Sequence, residues 1–251
     1  MKKIIFAAVL LIFAFSAEAQ LKWSDHSVHT LAKGRKEIGL FAPLKYGLKD
    51  SLELSVHPIF FFVIPHITVK KYWKSVGSWE LGSTHGFAYP NLLYKLISRR
   101  GTGGILPENA KIPQLFKFNN SVSLGKSLNQ HLDLTFTAGL DLTIALGEGS
   151  FPEIEFPIVY PRTYSHNQLI TPYLGAHLSG ELTGKLQYAY DGTAFFFVRE
   201  NKGLNLENNL RLQWNASNKL AFRVGLVHSY GTYPFGKMGR LYPYFDVLFG
   251  F

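Results

Sequence analysis

Between Leu132 and Leu146 the chain alternates without a break. Leu132, Leu134, Phe136, Ala138, Leu140, Leu142, Ile144 and Leu146 hold one parity, and Asp133, Thr135, Thr137, Gly139, Asp141, Thr143 and Ala145 hold the other. Successive side chains of a strand point to opposite faces, so the pattern predicts a strand with one apolar face and one polar or small face. The run far exceeds the roughly 5–6 residues of an ordinary soluble strand, and it is long enough to cross a bilayer at a tilt, which takes about 9–11.

The same alternation recurs downstream and upstream. Leu204, Leu206, Leu210, Leu212 and Trp214 oppose Asn205, Glu207, Asn209, Arg211 and Gln213, with an interruption at Asn208. Leu220, Phe222, Val224 and Leu226 oppose Ala221, Arg223 and Gly225, while Phe116, Phe118, Val122 and Leu124 oppose Lys117, Asn119, Ser121, Ser123 and Gly125. Leu174, Ala176 and Leu178 oppose Tyr173, Gly175, His177 and Ser179, and Leu186, Tyr188 and Tyr190 face away from Lys185, Gln187 and Ala189. Turn residues stand between these runs at Gly125–Gln130, Gly180–Gly184, Asn201–Gly203 and Asn215–Asn218. Short connections between long strands predict an antiparallel meander. Nearer the start, strands are expected at Glu37–Ala42, Leu52–Ile59, Ile67–Lys74 and Ser78–Ala88, with turns at Pro43–Asp50 and Pro65. The register is ambiguous through Phe60, Phe61 and Phe62, so the expected count is about 10–12 strands.

Two stretches break the pattern. Leu92, Leu93, Leu96 and Ile97 fall at helical spacing, followed by Arg99, Arg100 and Gly101, which predicts a short amphipathic helix at Asn91–Ser98 that caps a barrel mouth, the alternatives being a place on the membrane surface with the arginines at anionic head groups or an inward plug. Counted from the two ends, the strands place this helix on conflicting sides. The segment from Gly147 to Asn167 is rich in proline yet carries Phe151, Ile154, Phe156, Ile158, Val159 and Tyr160. Apolar groups in that number are expected to pack rather than to lie in water.

The ends refine the picture. Lys2 and Lys3, an apolar run from Ile4 to Phe15 and then Ser16-Ala17-Glu18-Ala19 follow the pattern of a secretory leader cleaved after Ala19. That run is short of the ~20 residues a spanning helix needs. The expected organisation is a leader over 1–19, an N-terminal segment over 20–34 and a barrel over 35–251. Phe245, Val247, Phe249 and Phe251 alternate to the last residue. This resembles the carboxy-terminal signature of Gram-negative outer-membrane β-barrel proteins, in which a terminal aromatic serves as an assembly signal. The resemblance implies an outer-membrane location, Phe249 and Phe251 as the signal, and membrane lipid and the barrel assembly machinery as partners.

Composition narrows the function classes. The chain contains no cysteine, which excludes a lipid-anchored lipoprotein and thiolate chemistry. Loss of the leader removes two lysines and one glutamate, taking the net charge from +9 to +8. An exported chain meets no nucleic acid, so this charge belongs to solvated loops, the membrane surface or a lumen. Parity places Lys117, Asp133, Asp141, Lys185, Glu207, Arg211 and Arg223 on the inner face. Charges there must either pair or line water.

His177-Leu178-Ser179, with Glu181 on the same face, resembles the His and Ser spaced two apart in outer-membrane phospholipases and lipid A deacylases. That resemblance implies lipid hydrolysis, with the serine as nucleophile and the histidine as base. Those enzymes present the pair outward, whereas parity here turns it toward the lumen. His26 and His29 lack the further ligands that a metal site needs, and their segment is expected to be mobile. No cofactor motif is present.

The expected protein is therefore an all-β transmembrane antiparallel up-and-down β-barrel with one short helix in a loop. It is read as a narrow channel or a barrel that binds a small solute without covalent catalysis. The rival readings are a lipid-modifying enzyme and a non-catalytic adhesion or scaffold barrel.

Overall fold

The computed structural model describes residues 23, 24, 27–101, 105–108, 110–149, 154, 156–198 and 203–251. The leader at 1–19, His26 and Phe151 lie outside the described residues.

Twelve strands close into one antiparallel barrel. They are β1 (Lys36–Gly39), β2 (Leu44–Lys49), β3 (Leu52–Val56), β4 (His66–Val76), β5 (Trp79–Ala88), β6 (Gln114–Asn129), β7 (Leu132–Leu146), β8 (Ile170–Thr183), β9 (Leu186–Phe197), β10 (Gly203–Asn215), β11 (Leu220–Tyr233) and β12 (Gly236–Gly250). Each strand pairs with its neighbours in sequence, and β1 closes the ring on β12 through Glu37 opposite Gly250. Closure leaves no sheet edge between β6 and β11, where the strands are longest.

The register climbs steeply around the wall. From Gly250 it passes through Glu37, Lys45, Ser55, Thr68, Gly86, Asn119 and Asp141 to Thr171, near the opposite rim. A stagger of this size forces the strands to tilt, as closed barrels require. One rim, here the terminal mouth, holds both ends of the barrel: Lys36 and Phe251 exchange backbone hydrogen bonds of 3.0 and 2.9 Å. The longer connections lie at the other rim, the loop mouth.

Outward positions are apolar and exposed. Along β7, Phe136, Leu140 and Ile144 are exposed, while Thr135, Asp141 and Thr143 between them are buried. Val122, Leu174, Leu210, Trp214, Val224 and Phe245 continue the outward band on neighbouring strands.

The amino-terminal third departs from the sequence expectation in two places. Leu44–Lys49 forms β2, where a turn is expected over Pro43–Asp50. The expected strand Leu52–Ile59 ends at Val56, because His57 and Pro58 open a short helix, α1 (Pro58–Phe61). The His57 imidazole accepts the Phe60 N–H at 3.3 Å, satisfying one free donor of the first turn, and proline is preformed for that position. The chain therefore turns back partway up the wall, and Phe41, Ile59, Phe60 and Phe62 stand exposed beside it. Counting β2 also resolves the side of the helix α2 (Asn91–Ile97). Five strands precede it and seven follow, so both counts place it at the loop mouth.

The N-terminal segment is packed into the terminal mouth, where the sequence suggested mobility. Val28 and Leu31 are 1% and 3% exposed. Wall positions facing the segment lack side chains: a Cβ on Gly47 would lie 2.1 Å from the Ala32 carbonyl oxygen, and one on Gly125 would lie 2.6 Å from Val28 Cγ2. A methyl group therefore cannot be added at Gly47 without moving the segment. Gly47→Ala is expected to speed tryptic cleavage after Lys33 several-fold in the folded protein, with heat-modifiable gel migration preserved. Unchanged cleavage would show that the segment is not held there.

Candidate functional site

Chain segments pack into both mouths of the lumen, and polar groups of the wall hold each of them. At the terminal mouth the N-terminal segment runs without a sheet partner, so its N–H groups need other acceptors. Carboxylates supply them, buried at Glu37 and Glu53 and exposed at Asp50. Ser24 N donates to both oxygens of Glu37 at 3.2 and 3.0 Å, and Leu31 N donates to Glu53 at 3.0 Å. Lys33 N donates to Asp50 at 3.0 Å, and Trp23 Nε1 donates to the Ser217 carbonyl at 3.2 Å. Arg35 neutralises Glu37 at 2.8 Å and lies over the Trp23 ring. His29 pairs with Glu80 at 3.0 Å. Between this segment and the wall from β6 to β11 lies a cavity of about 790 Å³, lined by Ser27, Asp133, Glu181, Tyr188, Arg211 and Arg223 among others.

At the loop mouth, α2 and the connection from β7 to β8 fold inward. The latter carries α3 (Tyr160–Tyr164) and a 3-10 turn at Ser165–Asn167. Tyr160 and Tyr164 pack with Phe195, Phe197 and Tyr233 inside the rim, and Tyr94 packs with Leu106, Leu115 and Ile154. Ile154 and Tyr160 thus pack as expected for this segment, whereas Phe156 is exposed. Asn91 bridges the rim, its amide donating to the Pro113 carbonyl and its oxygen accepting from Leu115 N.

The two closures are joined by polar pairs along the inner wall. Lys117 Nζ lies 2.7 Å from Asp141 and also donates to Ser165 Oγ at 2.6 Å, so one wall pair holds the loop. Glu207 takes a two-pronged bond from Arg162 of α3 at 3.1 and 2.5 Å. His177 Nδ1 lies 2.6 Å from Asp191, which also accepts from Arg211. Arg223 donates twice to Gln213, its direct cross-strand neighbour, at 3.0 and 2.6 Å. Asp133 accepts from Ser127 at 2.5 Å.

Of the residues that parity put on the inner face, Lys185 stands elsewhere. It sits exposed in the turn between β8 and β9, because the alternation of β9 extends past the end of the strand. His177 and Ser179 are buried, but Glu181 lies nearer the rim and faces His131 at 3.9 Å. The carboxylate that orients His177 is Asp191, across the strand pair. Phe249 and Phe251 are exposed at the closing end of β12.

His166 lies at the centre of the loop closure. Its Nδ1 is 2.8 Å from the Tyr94 hydroxyl. Burial, reinforced by the nearby Lys117, pushes its pKa well below the ordinary value. Burial raises that of Tyr94, which therefore stays a phenol and donates to a neutral imidazole. The carboxylate of Glu207 raises the pKa of Arg162 further, so that cation persists at any accessible pH.

Asp191→Asn leaves Arg211 buried without a counter-charge and should cost about 3–5 kcal/mol of unfolding free energy, read from urea unfolding in micelles; a loss under about 1 kcal/mol would refute the pairing. For His166 the folded pKa lies below the unfolded value of about 6.5, so only the unfolded chain takes up the proton as the pH falls below it. The closure should weaken by at most about 1.4 kcal/mol per pH unit below about 6.5. Faster proteolysis of the loop at about pH 5 than at about pH 7.5, abolished in His166→Gln, is the expected result.

No protein-family model and no curated protein matches the chain. Several solved structures are similar at low identity. A FadL homologue of Pseudomonas aeruginosa is 11% identical with a TM-score of 0.40, the match covering 86% of this chain and 67% of that one. OccK5 (OpdH) of the same organism is 16% identical with a TM-score of 0.40, covering 89% and 60%. The outer membrane channel DcaP of Acinetobacter baumannii is 9% identical with a TM-score of 0.38, covering 95% and 68%. Likeness at this level carries nothing about cargo or mechanism.

Proposed function

We infer that this chain is an integral outer-membrane barrel that takes a small solute into its lumen and passes it only when the closures at the mouths move. The exposed apolar band around the wall supports membrane insertion, since that much apolar surface in water would drive aggregation. The leader pattern and the terminal Phe251 support export and assembly in the outer membrane.

The observation that carries the reading is the cavity of about 790 Å³ between the N-terminal segment and the charged wall. Its size is that of a small-molecule site. Its floor is a peptide segment held by hydrogen bonds and ion pairs rather than by a sheet ladder, so it can be released without opening the barrel. Twelve strands lie between the eight of a barrel filled by side chains and the sixteen of an open porin. The closures, and not the wall, therefore limit passage.

Planar-bilayer recordings test this. The full mature chain should give only rare, brief openings, and deletion of residues 21–34 or shortening of 149–168 should each raise their frequency. The double deletion should give a steady pore. A doubly deleted barrel that still migrates as a folded species but passes no steady current would overturn the reading.

A further inference from the structure

We propose that Ser83, His85 and Asn120 form a catalytic triad on the outer face of the barrel that hydrolyses acyl esters of phosphate-bearing membrane lipids. The site lies outside the lumen and is independent of the passage proposed above.

The register turns all three side chains outward. Ser83 is directly opposite Val122 on β6 and Lys71 on β4, and His85 is directly opposite Asn120. Directly opposed residues share a face of the sheet, and Val122 belongs to the exposed apolar band. The interleaved positions face the lumen, since a Cβ on Gly82 would lie 2.8 Å from Val28 Cγ1 of the N-terminal segment. Around the three polar groups the outer surface is apolar, with Ile67, Phe87, Val122, Leu124 and Leu140 exposed. His85 and Asn120 are exposed as well, so lipid can reach them.

The hydrogen bonds run in the directions that nucleophilic catalysis needs. Asn120 Oδ1 can only accept and lies 2.8 Å from His85 Nδ1, so the ring proton is on Nδ1 and Nε2 is left as an acceptor. Ser83 Oγ lies 3.1 Å from that Nε2. The indole Nε1 of Trp73 can only donate, and it bonds the same Oγ at 2.8 Å. The serine proton is therefore directed at the imidazole, the one of its two partners with a lone pair to receive it. A nucleophile, its base and the group that orients the base stand in line. An amide in the third position holds the ring without placing a carboxylate in hydrocarbon, where a charge is costly.

Water is the second reactant. Ser83 Oγ attacks the ester carbonyl carbon while its proton passes to His85 Nε2. The bond from that carbon to the alcohol oxygen then breaks, and the leaving alcohol takes the proton from His85. Water, deprotonated by His85 in turn, attacks the acyl-serine, and the fatty acid departs as the Ser83 hydroxyl is restored. Ser83 is 5% exposed with the indole bonded to its Oγ, so an ester reaches it as the half-exposed Trp73 swings off. The freed indole N–H is then a donor for the carbonyl oxygen that becomes negative. Lys71 stands on the same face, its Nζ 3.5 Å from the centroid of the Trp73 ring, and suits a lipid phosphate beside the acyl esters.

The test uses the full mature protein in mixed micelles with phosphatidylethanolamine and, separately, with lipid A, and follows release of free fatty acid. Release is expected from at least one of them, and release from one alone names the lipid. Ser83→Ala and His85→Ala should each lower kcat by about a hundredfold or more. Asn120→Ala removes a positioning residue and should lower kcat by about tenfold or more at unchanged KM. Trp73→Phe, which keeps a ring but loses the donor, should also lower kcat by about tenfold or more. A long-chain sulfonyl fluoride should label Ser83 and spare Ser179 of the lumen, as read from peptide masses. Heat-modifiable migration confirms that each variant is folded. Absence of release from both lipids, a rate in Ser83→Ala within about twofold of the parent, an unchanged kcat in Asn120→Ala, or labelling of Ser179 in place of Ser83 would each overturn the proposal.

Discussion

Alternate side chains of every long strand face outward and are mostly apolar, and closure leaves the other half nowhere to go but inside. A strand in hydrocarbon must have its backbone groups paired by its neighbours, so the wall closes. Once it closes, Lys117, Asp141, Asp191, Arg211 and Arg223 are confined to one interior. Their mutual pairing follows from that confinement and not from any tendency of the charges to associate in solvent. The cross-strand register then decides who meets whom: Asn119 opposite Asp141, His177 opposite Asp191, Gln213 opposite Arg223.

The same confinement explains why the closures are polar at their attachment points and apolar elsewhere. A peptide laid across a barrel mouth brings unpaired N–H groups with it, and Glu37, Glu53 and Asp50 stand where those groups fall. On the opposite rim Tyr160, Tyr164 and Phe197 remove apolar area from water, while Ser165 and Arg162 are held by Lys117 and Glu207. Each closure is thus bound partly by interactions that acid or a competing ligand can weaken, without unpairing the sheet.

The long strands were legible because neither a helix nor a loop repeats every second residue over so long a run; Leu132–Leu146 coincides with β7. The strand β2 was not, since six residues between Pro43 and Asp50, with Gly47 inside, carry the composition of a turn. Its pairing with β1 and β3 is what makes it a strand. Inner-face charges were legible by parity up to the strand ends, and Lys185 shows the limit: alternation says nothing about where a strand stops. The partner of His177 was hidden for another reason. Glu181 shares its strand face, but Asp191 is brought opposite by the register of two strands, which no single-strand pattern reveals. The burial of Val28 and Leu31 had only an indirect signal, the glycines at 47, 82 and 125 on inner positions of the wall.

Those glycines bear on how the interior is divided. The wall from β6 to β11 carries the charged ladder, whereas the opposite side, from β2 to β5, offers Gly47, Gly82 and Gly86 and small hydroxyl residues such as Ser55 and Thr68. Gly47 and Gly82 there, with Gly125 on β6, leave the room that the N-terminal segment occupies. The N-terminal segment is held by Glu37, Glu53 and Asp50, so releasing it leaves the pairs of Asp191 with His177 and Arg211 in place, whereas the loop at the other mouth is bound to the wall pair of Lys117 and Asp141 itself.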